Sequence, residues 1–431
     1  MKRLIALFVI IAFPLRAEVD ITPVTSPSGL EAWLVEERSI PFIALELVFA
    51  GGANIEADEQ AGAVSLMTSL LNEGAGDMDA QAFAARTEEL AARLRFDSGR
   101  DTVTVSARFL TEDAEAVINH LRLALTEPRF DDDAIERVRR QMLASLRREA
   151  LDPNTLAARS FARAAFDGHP YARETNGTPE TVAALDRSAL QTAHQGAIAR
   201  DRVFIGAAGD IDAEQLGSLI DRLFDGIPEE SAPLPEPVSF QAKPGLEIVP
   251  FDGPQSVVAF GHAGIPRDDD DFLAAFVVNQ IFGGGRFGTR LMRNLREERG
   301  LTYGVGSFLS AGLLGHSYQG RVSTDNANVE TVIELLREEW ARMASDGITD
   351  AERERIVTYL TGAYPLRFDG NSSIASIMAS MQYQGFDIDY VNRRNDMVRA
   401  LTLEELNAAA ARLFDPEALF FVVVGQPVGL N

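Results

Sequence analysis

The sequence predicts an α+β fold of two homologous domains, each a mostly antiparallel sheet packed with helices. Three observations carry this reading. The same order of elements occurs twice, long amphipathic helices separate strands of alternating polarity, and a proline-rich polar stretch interrupts the pattern midway. That stretch, residues 227–244, runs Ile227-Pro228-Glu229-Glu230-Ser231-Ala232-Pro233-Leu234-Pro235-Glu236-Pro237 and continues to Lys243-Pro244, which reads as a linker. The expected organisation is therefore a signal peptide over 1–17, an N-terminal domain over 18–226, the linker, and a C-terminal domain over 245–431.

Residues 1–17 begin with Lys2 and Arg3, continue through an apolar run to Phe13, and place Ala17 just before an acidic stretch. This is the layout of a secretory signal, too short and wrongly flanked for a membrane anchor, although Leu15 at the minus-three position is larger than the usual small residue. Export with no stable anchor after cleavage is the expectation. The alternating stretches 44–50 and 102–109 read as strands. The charged-then-apolar texture of 131–141 starts a helix and is echoed at 349–358. Leu185-Asp186-Arg187-Ser188-Ala189-Leu190 opens a helix leading to a strand over 202–210, and Leu401-Thr402-Leu403-Glu404-Glu405-Leu406 does the same ahead of 418–426. Two related halves follow from that repetition.

Composition narrows the function. Cysteine is absent, so an exported chain of this size relies on its core, without disulfides or thiolate chemistry. Without Lys2, Arg3 and Arg16, 37 basic residues face 64 acidic ones, a net charge of −27. That balance argues against nucleic acid and anionic membrane surfaces, which need basic patches. It suits basic peptides or a complementary partner surface, the plainer alternative being a solvated exterior.

One predicted helix, within 62–74, is apolar except for a narrow stripe of Ser65, Thr68, Ser69 and Asn72 at helical spacing. Taken alone the stripe is a buried helix whose hydroxyls bond back to the carbonyl four residues earlier. An inverted zinc-protease helix would carry His-x-x-Glu-His in this frame, and Ser65, Thr68 and Ser69 stand in those places. Neutral hydroxyls are poor zinc ligands, and a threonine cannot act as the carboxylate base. The five histidines, at 120, 169, 194, 262 and 316, supply no pair within one helical turn.

His169-Pro170-Tyr171-Ala172-Arg173-Glu174-Thr175-Asn176-Gly177-Thr178-Pro179-Glu180, with Val182 to Leu190 and Gly209-Asp210, resembles the pitrilysin or insulinase family of zinc metallopeptidases. The later signature of that family is similar to Gly283-Gly284-Gly285, Arg290-Leu291 and Leu295-Arg296-Glu297-Glu298-Arg299-Gly300-Leu301-Thr302-Tyr303. The resemblance covers residues 20–428. It implies paired domains closing like a clamshell around a peptide chamber, this chain supplying half. It implies zinc ligands at the places of Ser65 and Ser69, a base at Thr68, and a third ligand at Glu136, of which only Glu136 is of ligand type; its plainer reading is a helix-surface charge. The glycine run lacks the Gly-Lys-Ser/Thr ending of a phosphate loop and reads as a close turn.

The resemblance further implies that Arg296 and Tyr303 touch substrate from the domain facing the zinc. A helix over 288–299 should stop at Gly300, and the following strand should carry Tyr303. A tyrosine hydroxyl can donate to an oxyanion and a guanidinium can fix a peptide carbonyl. Read in isolation, Arg296 is a solvated helix charge and Tyr303 a core aromatic. The chain is thus identified as the type of a non-catalytic, substrate-orienting subunit of a periplasmic heterodimeric zinc metalloendopeptidase. It would hold no cofactor itself, and a homologous zinc-bearing partner would supply metal and base for peptide substrates. The alternative is a catalytically inert scaffold or peptide-binding protein of the same fold.

Overall fold

The computed structural model describes residues 19–430; the expected signal peptide lies outside them. The first half runs β1 (Thr22–Thr25), β2 (Glu31–Glu36), β3 (Phe42–Ala50), α1 (Ala63–Leu70), the short pair β4 (Gly74–Ala75) and β5 (Met78–Asp79), α2 (Ala80–Glu89), β6 (Arg93–Ser98) and β7 (Thr102–Leu110). It continues through α3 (Ala114–Thr126), α4 (Asp132–Glu149), α5 (Pro153–Ala165), α6 (Pro179–Ala184), α7 (Arg187–Ala197), β8 (Val203–Gly209) and α8 (Ala213–Leu223). The second half runs β9 (Gly245–Pro250), β10 (Gln255–Ala263), α9 (Phe272–Phe282), a wide-wound helix (Met292–Glu298), β11 (Val305–Ala311), β12 (His316–Asp325), α10 (Val329–Asp346), α11 (Asp350–Ala363), α12 (Asn371–Tyr383), α13 (Tyr390–Ala400), α14 (Leu403–Leu413) and β13 (Phe420–Gly425).

Local chemistry explains the helix starts. Asp186 caps α7 by accepting from the Ala189 amide, and Thr349 and Thr402 form reciprocal capping boxes with Glu352 and Glu405 at the starts of α11 and α14. Strand β7 alternates between buried and partly exposed residues, whereas the central strand β3 is buried at nearly every position. Burial on both faces means that something covers the second face of the sheet.

The two sheets share one topology. The first has the order β1-β2-β8-β3-β7-β6 and the second β9-β13-β10-β12-β11. With β1 set aside, β2, β3, β6, β7 and β8 take the places of β9 to β13 in turn. The single parallel pair falls in the same place, β2 with β8 and β9 with β13, and all other pairings are antiparallel. The repeat is therefore present in the topology, consistent with a two-domain clamshell fold.

Each sheet buries one face against its own half's helices. The first core joins Leu66 and Met67 of α1 and Leu190 of α7 to Leu47 and Val105, and the second gathers around Trp340, Phe282 and Phe414. The other faces are covered reciprocally. Helix α12 of the second half lies on β3 and β8, while α5 of the first half lies on β10 and β13. Phe161 of α5 is buried with its ring 6.0 Å from that of Phe420, and Ala375 and Met378 of α12 are buried beside Ala44 and Ala208. A Cβ on Gly206 would stand 2.1 Å from the Ala375 carbonyl oxygen, so α12 approaches β8 more closely than any side chain there allows.

Residues 227–244 contain no helix or strand, yet they form a strap bound at several points. Ala232 N–H donates to the Gly196 carbonyl, Val238 to Leu314 and Gln241 to Ala165, while Val238 and Phe240 pack beside Phe161 and Phe166.

Candidate functional site

Helix α1 begins at Gly62, whose φ of +94° and close approach to the Asn176 carbonyl, 2.7 Å from a built Cβ, exclude any other residue without strain. The side chain of Glu56 accepts from the amides of Gly62 at 3.0 Å and Val64 at 2.6 Å, so a carboxylate occupies the start of the helix. Burial pushes that carboxyl up to about 7 against the pull of those two amides and Arg173. Sequence reading missed Glu56; six residues upstream of Gly62, it lies beyond the spacing of an ordinary capping box.

The polar stripe is satisfied from within the chain. Thr68 Oγ1 donates to the Val64 carbonyl at 2.7 Å, Ser69 Oγ to the Ser65 carbonyl at 2.9 Å, and Ser65 Oγ to Asn176 Oδ1 at 3.0 Å. Glu136 is exposed and forms an ion pair with Arg139, one turn along α4. Among the described residues no three side chains of His, Cys, Asp or Glu stand close enough to hold a metal. Ser65, Thr68 and Ser69 offer neither imidazole nor carboxylate and their protons are already donated, so they do not fit zinc.

Four of the five histidines are tied into the fold by hydrogen bonds. The His262 Nε2 accepts from the Trp340 indole at 3.0 Å, which leaves the proton on Nδ1, and that nitrogen donates to the Ala263 carbonyl at 2.7 Å. His194 bonds the Leu125 carbonyl, His120 meets Thr87 and stacks on Phe83, and His169 holds the Tyr171 amide. Burial lowers all five below the ordinary value of 6.5, favouring neutral rings.

The segment beginning at His169 is a bracket rather than a reaction centre. The Tyr171 hydroxyl donates to Asp101 Oδ1 at 2.7 Å and accepts from the Leu314 amide at 2.8 Å. Asp101 also takes Asn54 Nδ2 and the Leu313 amide. One tyrosine thereby ties the β6–β7 turn of the first half to the β11–β12 hairpin of the second. Arg173 donates to the Glu56 carbonyl and Asp58, and Thr181 to the Ala61 carbonyl, which fixes the approach to α1.

Arg296 and Tyr303 are brought together in the second half. Arg296 lies on the wide-wound helix Met292–Glu298, and Gly300 beyond it has φ +65°. Its Nη1 donates to the carbonyl oxygen of Tyr303 at 2.6 Å, and its guanidinium sits 4.6 Å from the centre of the exposed Phe287 ring. Tyr303 itself is 85% exposed. Sequence reading placed it on a strand, but β11 starts only at Val305. Thr302 explains the difference, because its buried hydroxyl donates to the Ser323 carbonyl and accepts from the Gly304 amide, drawing the loop inward there and leaving the next side chain outside. The predicted helix over 288–299 is correspondingly shorter and its regular part is wound with a wider turn, a feature associated with functional positions. No hydrogen bond joins Arg296 or Tyr303 to the α1 stripe among the described residues.

Arg290, five residues after the glycine run, has a different role. It grips Glu352 with Nε at 2.8 Å and Nη2 at 2.7 Å, and its Nη2 also donates to the Gly347 carbonyl. Gly283 closes the end of α9, where a Cβ would stand 2.3 Å from Ser307 Oγ, so the glycines serve a close turn.

Residues 33–179 match the family profile described as insulinase (peptidase family M16), and 184–360 match the one described as peptidase M16 inactive domain. The non-peptidase homolog YmxG of Helicobacter pylori is 25% identical over 395 residues, covering 91% of this chain and 90% of its own. An uncharacterized zinc protease of Mycobacterium tuberculosis strain H37Rv is 26% identical over 398 residues, covering 90% of each chain. The crystal structure of a peptidase M16 inactive domain from Pseudomonas fluorescens superposes with a TM-score of 0.89 at 26% identity, covering 96% of this chain and 99% of that one.

Proposed function

This chain belongs to the insulinase family, peptidase family M16, as a non-catalytic member, and from that premise we propose that it is the substrate-orienting subunit of a heterodimeric zinc metalloendopeptidase. The observation that carries the proposal is the arrangement of Tyr303, exposed on a loop that Arg296 clamps by its carbonyl, in a chain whose own ligand frame is filled by hydroxyls. A homologous partner holds the zinc and the general base. A zinc held by that partner would supply Lewis acidity toward the scissile carbonyl of a peptide.

What this chain does is orientation. The Tyr303 hydroxyl has no partner of its own among the described residues and donates to the oxyanion that forms as the carbonyl is attacked. Arg296 fixes the loop through Nη1 and leaves its remaining N–H groups to hold a substrate carbonyl. An acidic chain, of net charge −27 without Lys2, Arg3 and Arg16, attracts basic peptides. Residues 1–17 direct export, and the assembly works in the periplasm.

A second reading, an inert scaffold or peptide-binding protein, draws support from the same hydrogen bond, because an arginine holding its own loop has a structural use without substrate. Isolation of the native chain with its companions separates the two readings. The proposal expects a companion of similar size carrying His-x-x-Glu-His; recovery without such a companion, in material that also cleaves no peptide, overturns it.

A further inference from the structure

We propose that the cavity walled by α9, α12 and α13 is a binding site for a small carboxylate with an apolar body, whose head group is held by Arg267 and Arg394. The cavity has a volume of about 400 Å³, within the range of small-molecule sites. Its apolar wall includes Phe276, Met381, Phe386 and Tyr390, with the last two rings stacked at 4.1 Å. None of Ser65, Thr68, Ser69, Glu136, Arg296 and Tyr303 lines it.

The charges in it are unbalanced. Arg394 is only 7% exposed, and its Nη1 reaches the Leu360 carbonyl at 3.1 Å and Asn395 Oδ1 at 3.2 Å, with the Tyr364 ring 4.5 Å away. Arg267 lines the same cavity and lies 4.8 Å over the Phe272 ring. Neither makes an ion pair with a carboxylate among the described residues. Of the two acids in the lining, Asp269 is already held by Arg412 at 2.6 Å and Asp270 is exposed. Desolvation lowers both guanidinium pKa values, the direction expected where positive charge lacks a counter-charge.

Taking an unpaired guanidinium out of water is strongly unfavourable. In a chain with 64 acidic and 40 basic residues, a buried Arg394 and a partly buried Arg267 lining one cavity without a carboxylate partner are not explained by a shortage of carboxylates. The bonds of Arg394 to Leu360 and Asn395 account for it partly as a tie between α11 and α13, but they do not account for Arg267. A planar carboxylate satisfies both, accepting paired N–H groups in the geometry guanidinium favours, while its apolar body displaces water from the aromatic wall. At roughly 30 Å³ per water-sized group the cavity holds about a dozen heavy atoms. Decanoate and N-acetylphenylalanine are both of that size. The first represents a free fatty acid and the second the C-terminal residue of a peptide, two sources of one chemistry.

Titration calorimetry of the intact mature chain with each acid, and with decanamide and N-acetylphenylalaninamide as neutral counterparts, tests the site. At least one acid should bind, its amide at least tenfold more weakly, and the acid that binds more tightly identifies the source. Arg267→Gln and Arg394→Gln should each weaken binding of that acid by tenfold or more. If Arg394→Gln fails to fold by circular dichroism, Arg267→Gln and the amide comparison decide alone. Absence of binding by both acids at about 1 mM, where affinity corresponds to only about −4 kcal/mol, overturns the assignment. So do equal affinities for acid and amide, or wild-type affinity in a folded Arg267→Gln variant.

Discussion

Glu352→Gln should destabilise the second half by an amount that shrinks as the pH falls. In the native chain this carboxylate receives two N–H groups from Arg290 and further bonds from the Thr349 amide and hydroxyl, with its side chain only 10% exposed. Those bonds and the Arg290 charge outweigh the opposing effect of burial and bring its pKa down from 4.5 to about 2. A depressed acid stabilises the fold above its unfolded pKa, and that stabilisation is lost as pH falls from 4.5 through 2. At about 1.4 kcal/mol per pH unit the full contribution at pH 7 is ~3 kcal/mol, close to the ~3–5 kcal/mol lost when one member of a buried ion pair is removed. By pH 3 linkage leaves less than half of it, ~1.4 kcal/mol. Urea unfolding of wild type and variant, followed by circular dichroism at both pH values, measures the difference directly. A loss under ~1 kcal/mol at pH 7, or an equal loss at both pH values, would refute the reasoning.

Three further outcomes follow from the geometry. Glu56 has the opposite sign: its pKa is raised from 4.5 to about 7, so the folded chain holds that proton more tightly and loses stability as pH rises across that window. Glu56→Gln should remove ~1–3 kcal/mol of that pH dependence, seen as a flatter plot of urea midpoint against pH between 5 and 8. Tyr171→Phe strips one bond from Asp101 and leaves the buried Leu314 amide without its acceptor. It should cost ~1–3 kcal/mol in denaturant unfolding and speed hydrogen exchange in the β11–β12 hairpin. Gly206→Val should lift α12 from β8, because the new side chain meets the Ala375 backbone; exchange protection should fall in α12 by at least tenfold while α10 keeps its own.

Much of the architecture was legible because local chemistry and global fold agree. Asp186, Thr349 and Thr402 announce helix starts by their side chains, and the alternation around residues 44–50 and 102–109 places strands that the structure extends by a residue or two. The exchange of α5 and α12 was not legible: an amphipathic helix shows that it buries one face, never against which sheet. The bland reading of the α1 stripe proved right for Thr68 and Ser69, whose hydroxyls bond backward by four residues, while Ser65 reaches 111 residues along the chain to Asn176. Tyr303 looked like a strand residue because Thr302-Tyr303 has β-favouring side chains. What decides its place is the bond from Thr302 to Ser323, a contact no local pattern contains. Arg267 and Arg394 stand over a hundred residues apart, so their common cavity could not be read from spacing.

The central claim is that this chain contributes an orienting tyrosine to chemistry performed with a partner's zinc. Peptide hydrolysis by the partner mixed with wild-type chain or with Tyr303→Phe, with zinc content and assembly measured in parallel, tests it most directly. The account predicts that the isolated chain holds no stoichiometric zinc and cleaves nothing, that the wild-type mixture is active, and that the variant mixture assembles with unchanged metal but turns over roughly 10²-fold more slowly. Chelator-sensitive cleavage by the isolated chain, or an assembled variant working at the wild-type rate, would contradict it.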